Sequence, residues 1–143
     1  MNIDSESQQF KSDAESIAER SARVLLVEDN AINQLIATEM LQHFGCSIEV
    51  ANNGSEALDL VKKDAFDLVF MDCQMPVMDG YQATAEIRNW EREMKRKAIP
   101  IIALTANALS GEKEKCLQAG MNEYMTKPFT MDSFAAMLAE TLA

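Results

Sequence analysis

Punctuation is sparse in this chain: five glycines and three prolines serve 143 residues, and histidine and tryptophan occur once each. The three cysteines, Cys46, Cys73 and Cys116, stand far apart with no CxxC pair. That spacing suggests neither a disulfide framework nor a zinc site, so they are expected as reduced thiols packed as small hydrophobes. No apolar run approaches the ~20 residues that cross a bilayer. A charged-then-apolar leader is missing too, and the expectation is a soluble, cytoplasmic protein. Basic residues are outnumbered, 13 against 23 acids, for a net charge of −10. A surface that neutralises nucleic-acid phosphates needs clustered Lys and Arg, and nucleic acid is excluded as a partner. The one basic run, residues 92–97, is interrupted and reads as the solvated end of a helix. Neither a glycine-rich phosphate loop after the first apolar run nor an internal repeat is present.

What is there is one domain's worth of chain, 48% hydrophobic and able to bury a single core. Residues 1–21 are polar, acidic and serine-rich, and read as a linker or tether with at most partial helix. The folded domain is expected over 22–143. Short, wholly apolar runs at 24–27, 68–71 and 99–104 read as strands buried on both faces. "SIEVA" (47–51) and "EYMT" (123–126) are more polar and read as edge strands. Helices are expected between them: from an Asp29 or Asn30 cap to about His43, from Asn53-Gly54 to Lys63, from Asp79-Gly80 to at least Trp90, over about 108–118, and from about Met131 to Leu142. Five β-α units in strict alternation imply a doubly wound α/β fold, a (βα)5 flavodoxin-like parallel sheet with helices on both faces. With the apolar strands in the centre, the order is 2-1-3-4-5.

In such sheets ligands bind beyond the carboxyl ends of the strands. Glu28 and Asp29 follow the first strand, Asp72 ends the third, Thr105 the fourth and Lys127 the fifth. The order brings three carboxylates, a hydroxyl and an ammonium to one edge. Three carboxylates cannot all ionise together without a counter-charge. A divalent cation resolves this, and the all-oxygen donor set selects Mg²⁺, with Mn²⁺ as its substitute. Lys127 and Thr105 complete a site for a dianion beside Asp72, of which a phosphoryl group is the foremost candidate.

The stretches "VLLVEDNAINQ", "LVFMDCQMPVMDG", "IIALTA" and "YMTKPF" resemble, in order and placement, the motifs of two-component response-regulator receiver domains, over residues 23 to about 142. The resemblance implies that Asp72 accepts a phosphoryl group as an acyl phosphate. It implies that Asp29, Asp72 and the backbone carbonyl of Gln74 hold Mg²⁺, with Glu28 acting partly through water. Thr105 and Lys127 match the switch hydroxyl and the phosphate-binding lysine, and Tyr124 the switch aromatic. Met75-Pro76 and Asp79-Gly80 match the loop that shapes the cleft, and Lys127-Pro128 a bond commonly cis in the family.

"EDNAINQ" is most similar to receivers of hybrid sensor histidine kinases, whose partners are a histidine kinase and a histidine-phosphotransfer protein. Such a receiver catalyses only its own phosphorylation and dephosphorylation, although its parent chain is a kinase, which would place this segment on the cytoplasmic side of a membrane-anchored protein. No output domain is expected after this segment, and a monomer is expected. Ile32, Ile36 and Met40 are candidates for docking the phosphotransfer partner, with packing the expected role of most of them. A free-standing diffusible regulator shares the chemistry and differs in partner. An aspartyl-phosphate phosphohydrolase is the reading from another class, but it wants an acid two residues after the nucleophile, where Gln74 stands. Gln74 and Asn107 are candidates for tuning acyl-phosphate lifetime. His43 reads as a surface residue, Trp90 as a half-buried aromatic, and Cys73 as facing away from the acids.

Overall fold

The structure, a computed structural model, describes residues 21–75, 78–106 and 111–142. Five strands, β1 (Arg23–Val27), β2 (Ser47–Ala51), β3 (Leu68–Asp72), β4 (Ile101–Thr105) and β5 (Glu123–Thr126), alternate with five helices. The helices are α1 (Ala31–His43), α2 (Gly54–Lys63), α3 (Gly80–Glu93), α4 (Glu112–Ala119) and α5 (Met131–Leu142). The sheet is parallel throughout, in the order β2-β1-β3-β4-β5. The three apolar runs are the three central strands, and the two mixed ones are the edges, as their polarity predicted.

Period-two alternation splits the core in two. Val24, Leu26, Leu68, Phe70, Ile102 and Leu104 face α1 and α5, where Leu41, Phe44, Phe134 and Leu138 close over them. Leu25, Val27, Val69, Met71, Ile101 and Ala103 face α2, α3 and α4, packing on Ala57, Val61, Ala83, Ile87 and Cys116. Local signals set the helix starts. The side chains of Asn30, Asn53 and Asp79 accept from the backbone N–H three residues on, at 3.0, 2.9 and 2.8 Å. Of the two candidate caps for α1, Asn30 is the one used. Gly120, at φ +107°, ends α4 in a left-handed turn that side chains resist.

Helix α3 runs three residues past Trp90, as the expected end at or beyond it allows. Two boundaries differ from expectation. Strand β4 begins at Ile101, since Pro100 has no N–H to give the ladder and offers only its carbonyl, which Val69 N–H reaches at 2.9 Å. Helix α4 starts at Glu112 rather than 108, and residues 107–110 lie outside the described ones, as does the 1–21 segment except for Ser21. One expectation about α1 fails. Only Ala37 and Leu41 are fully buried there, whereas Ile32, Leu35 and Ile36 are exposed at 69, 61 and 39%. Spacing alone cannot tell an apolar stripe that faces a sheet from one that faces outward, because both repeat every three to four residues. Trp90 is half-buried against the α2–α4 side, with the Arg96 guanidinium 5.4 Å from its ring centroid.

Candidate functional site

The strand ends do bring the acids together. Glu28, Asp29 and Asp72 each place a carboxylate oxygen within 4.8 Å of the others. Glu28 is wholly buried, Asp72 is 5% exposed and Asp29 lies at the surface. Asp72 stands at the tip of β3 because five consecutive buried residues hold that strand in the middle of the sheet.

Lys127 reaches across from the end of β5. Its Nζ lies 3.0 and 3.3 Å from the two oxygens of Glu28 and 3.1 Å from Asp72 Oδ2. The Lys127–Pro128 peptide bond is cis. Burial would lower the lysine's pKa, but its hydrogen bond to Glu28 and the charge of Asp72 outweigh that, and the net shift is upward. Glu28 also moves up, which for a carboxyl favours the neutral form: burial first, then the neighbouring Asp72, pushes it up to about 7, against the pull of Lys127 and Asn33. One ammonium is thus too little charge for the acids around it. The donor set, three carboxylates and no nitrogen or sulfur, fits a hard divalent cation.

Thr105 is 4% exposed, and its hydroxyl lies 3.4 Å from Glu112 Oε1. Tyr124, half-buried on β5, packs on the α2–α4 side of the sheet next to Ala103. Gln74 is exposed, and its backbone N–H donates to Asp72 Oδ1 at 3.0 Å. Pro76 and Asn107 lie outside the described residues.

Three contributors were not singled out as site residues from the sequence. Asn33 donates to Glu28 Oε1 at 2.6 Å, and Gln34 bridges the Glu28 carbonyl and Asn52. Their signal was the Asn30 cap, which fixes the first turn of α1 and so which side chains point back at Glu28. Glu112 accepts from both Tyr81 and Thr105, across a distance in sequence that no local pattern encodes. Gly80 is required by contact: a Cβ there would sit 2.2 Å from the Asp72 carbonyl oxygen. Cys73, beside Asp72, turns into the opposite cluster, and burial pushes its thiol up to about 12. His43 is exposed at the end of α1.

Comparison with known proteins places this geometry. The profile of the response regulator receiver domain matches residues 24–139. The sensor protein GacS of Pseudomonas syringae pv. syringae is 43% identical over 122 residues, which are 85% of this chain and 14% of GacS. The receiver domain of the sensor histidine kinase PA1611 of Pseudomonas aeruginosa PAO1, solved with a magnesium ion in its active site cleft, has a TM-score of 0.76. It is 43% identical and covers 85% of this chain and 98% of its own. A chain of the Saccharomyces cerevisiae complex between the histidine phosphotransfer protein Ypd1 and the receiver domain of Ssk1 scores 0.78 at 37% identity, covering 84% of this chain and 88% of that one. With the fold, the strand order and these likenesses in agreement, the chain belongs to the response regulator receiver domain family.

Proposed function

We propose that this receiver domain takes a phosphoryl group from a phosphohistidine onto Asp72 in a two-component phosphorelay. The observation that carries the reading is the buried Asp72 carboxylate, gripped by Lys127 at 3.1 Å and flanked by two further acids. A carboxylate oxygen of Asp72 attacks phosphorus in line, the P–N bond to the donor imidazole breaks, and an acyl phosphate forms. Lys127 is already bonded to the attacking group and would follow the charge onto the phosphoryl oxygens. The Gln74 N–H, on the other Asp72 oxygen, orients the carboxylate. Mg²⁺ would be held by Asp29, Asp72 and the Gln74 carbonyl, with Glu28 partly through water, and would offset the charge of the transferred group. The hydroxyl of Thr105 then turns to the phosphoryl group and Tyr124 moves inward. That biases the α4–β5–α5 face between two states, since the new charge interacts differently with each.

The parent is proposed to be a hybrid sensor histidine kinase, with residues 1–21 as the tether. This chain spans 14% of GacS, as one module of such a protein would. The partner is a histidine-phosphotransfer protein. Its docking surface is the exposed apolar patch of Ile32, Leu35 and Ile36 on α1, beside the mouth of the acidic site.

An intact-mass spectrum after incubation with Mg²⁺ and acetyl phosphate tests the reading. One phosphoryl group should appear on the native chain and none on Asp72→Asn. Equal gain on both chains, or gain on neither, overturns it.

A further inference from the structure

A second cluster of ligand-type side chains lies on the other side of β3 from the acidic site. Cys73 Sγ, Cys116 Sγ and a carboxylate oxygen of Glu112 lie within 4.8 Å of one another. Both cysteines are 1% exposed, and Glu112 is half-buried at the first turn of α4. The Tyr81 hydroxyl joins them by donating to Glu112, and it lies near enough to both sulfurs to influence their ionisation. Four donor atoms, two sulfur and two oxygen, thus gather from the residue that follows β3 and from α3 and α4.

We propose that Cys73, Cys116 and Glu112, with the Tyr81 hydroxyl or a water in fourth place, form a binding site for one thiophilic divalent cation of the Zn²⁺ class. Four-coordinate Zn²⁺ with thiolate and carboxylate ligands is tetrahedral, with Zn–S near ~2.3 Å, which sets the two sulfurs about 3.8 Å apart. As the ion binds, two thiol protons leave to solvent and two Zn–S bonds form, with no change of oxidation state. Two thiolates and a carboxylate carry one negative charge more than the ion neutralises. The ammonium of Lys115, 4.5 Å from the Tyr81 ring centroid, supplies the balancing charge. A surface cleft of about 510 Å³, lined by Cys73, Tyr81 and Lys115, borders the cluster on one side. The soft donors separate this site from the acidic one, whose all-oxygen set takes a hard ion. An ion held here claims the Glu112 oxygen that accepts from Thr105 and ties the end of β3 to the start of α4.

Cd²⁺ is the probe, added to the full chain in excess Mg²⁺ so that the acidic triad is saturated. One equivalent should bind with a thiolate-to-cadmium charge-transfer band in the ultraviolet, and Zn²⁺ should compete it away. Cys73→Ala and Cys116→Ala should each weaken binding by more than roughly 100-fold, beyond the 10–100-fold that losing an outer-shell partner costs. Glu112→Gln, at a half-buried position that does not threaten folding, removes a direct ligand and should likewise weaken it by more than roughly 100-fold. Cys46→Ala, in the other core, should leave it unchanged. Absence of the band, its persistence at native affinity in Cys116→Ala or Glu112→Gln, or its loss in Cys46→Ala would each overturn the proposal.

Discussion

Replacing Glu28 by glutamine should make the metal-free protein more stable at alkaline pH while weakening its hold on Mg²⁺. In the fold Glu28 is wholly buried, accepts from Asn33 and Lys127, and its carboxyl lies within 4.8 Å of that of Asp72. Burial first, and then Asp72, raises its pKa from the ordinary 4.5 to about 7. A carboxyl that holds its proton more tightly when folded makes stability fall as pH rises. The sign is opposite to the usual salt-bridged acid: the loss starts near pH 4.5 and is complete above about 7. At ~1.4 kcal/mol per unit, the shift corresponds to about 3 kcal/mol in the fully ionised limit. Glutamine mimics the protonated acid, keeping an acceptor for Asn33 and a donor for Asp72. It forfeits part of the Lys127 attraction, which leaves a net gain of roughly 1–2 kcal/mol. For a chain of this size that is on the order of 2–8 °C in Tm. Thermal melts from pH 5 to 8.5 without metal should show native and Glu28→Gln curves converging at the acid end, separating up to about pH 7 and keeping a constant offset above it. With saturating Mg²⁺ the order should reverse, because only the native acid adds its charge to the ion's binding energy. A variant less stable than the native chain at pH 8 without metal, or an offset independent of pH, refutes this account of the site.

Gly80→Ala should destabilise the fold by about 1–3 kcal/mol, as overpacking does, since its Cβ would meet the Asp72 carbonyl oxygen at 2.2 Å. Chemical denaturation measures that loss, and acetyl-phosphate uptake should fall with it as the β3 tip is displaced. Replacing Ile32 and Leu35 together by glutamate should leave the melt within ~0.5 kcal/mol of native, because both are more than half exposed. The same pair should slow phosphoryl exchange with a phosphotransfer partner by about tenfold or more while sparing uptake from acetyl phosphate. Equal loss with both donors would move the docking surface elsewhere.

Much of the architecture was legible because it follows from one-dimensional rules. Strands buried on both faces must be apolar throughout, so "VLLV", "LVFM" and "IIAL" named the three central strands and, by exclusion, the edges. Parallel neighbours joined by right-handed helices then leave few orders, and the carboxyl ends collect whatever residues follow the strands. That is why Glu28, Asp29, Asp72, Thr105 and Lys127 could be grouped before any coordinate was known. Cap residues located the helix starts for the same reason: a side chain three residues from an N–H is a local matter.

Orientation and long-range contact were not legible. The helical spacing of Ile32, Leu35 and Ile36 was plain, but only the seating of α1, by Ala37 and Leu41, turned that stripe outward. Cys73 and Cys116 are 43 positions apart in the sequence, and neither has a metal-site pattern around it. They meet because β3 ends where α4 packs back on the sheet. The sequence by itself determined which residues stand at the strand tips, since that depends on periodicity and chain order alone. Only the tertiary structure decided which charges each acid faces, which apolar side chains reach solvent and which sulfurs touch, because these depend on how separate helices settle against one sheet.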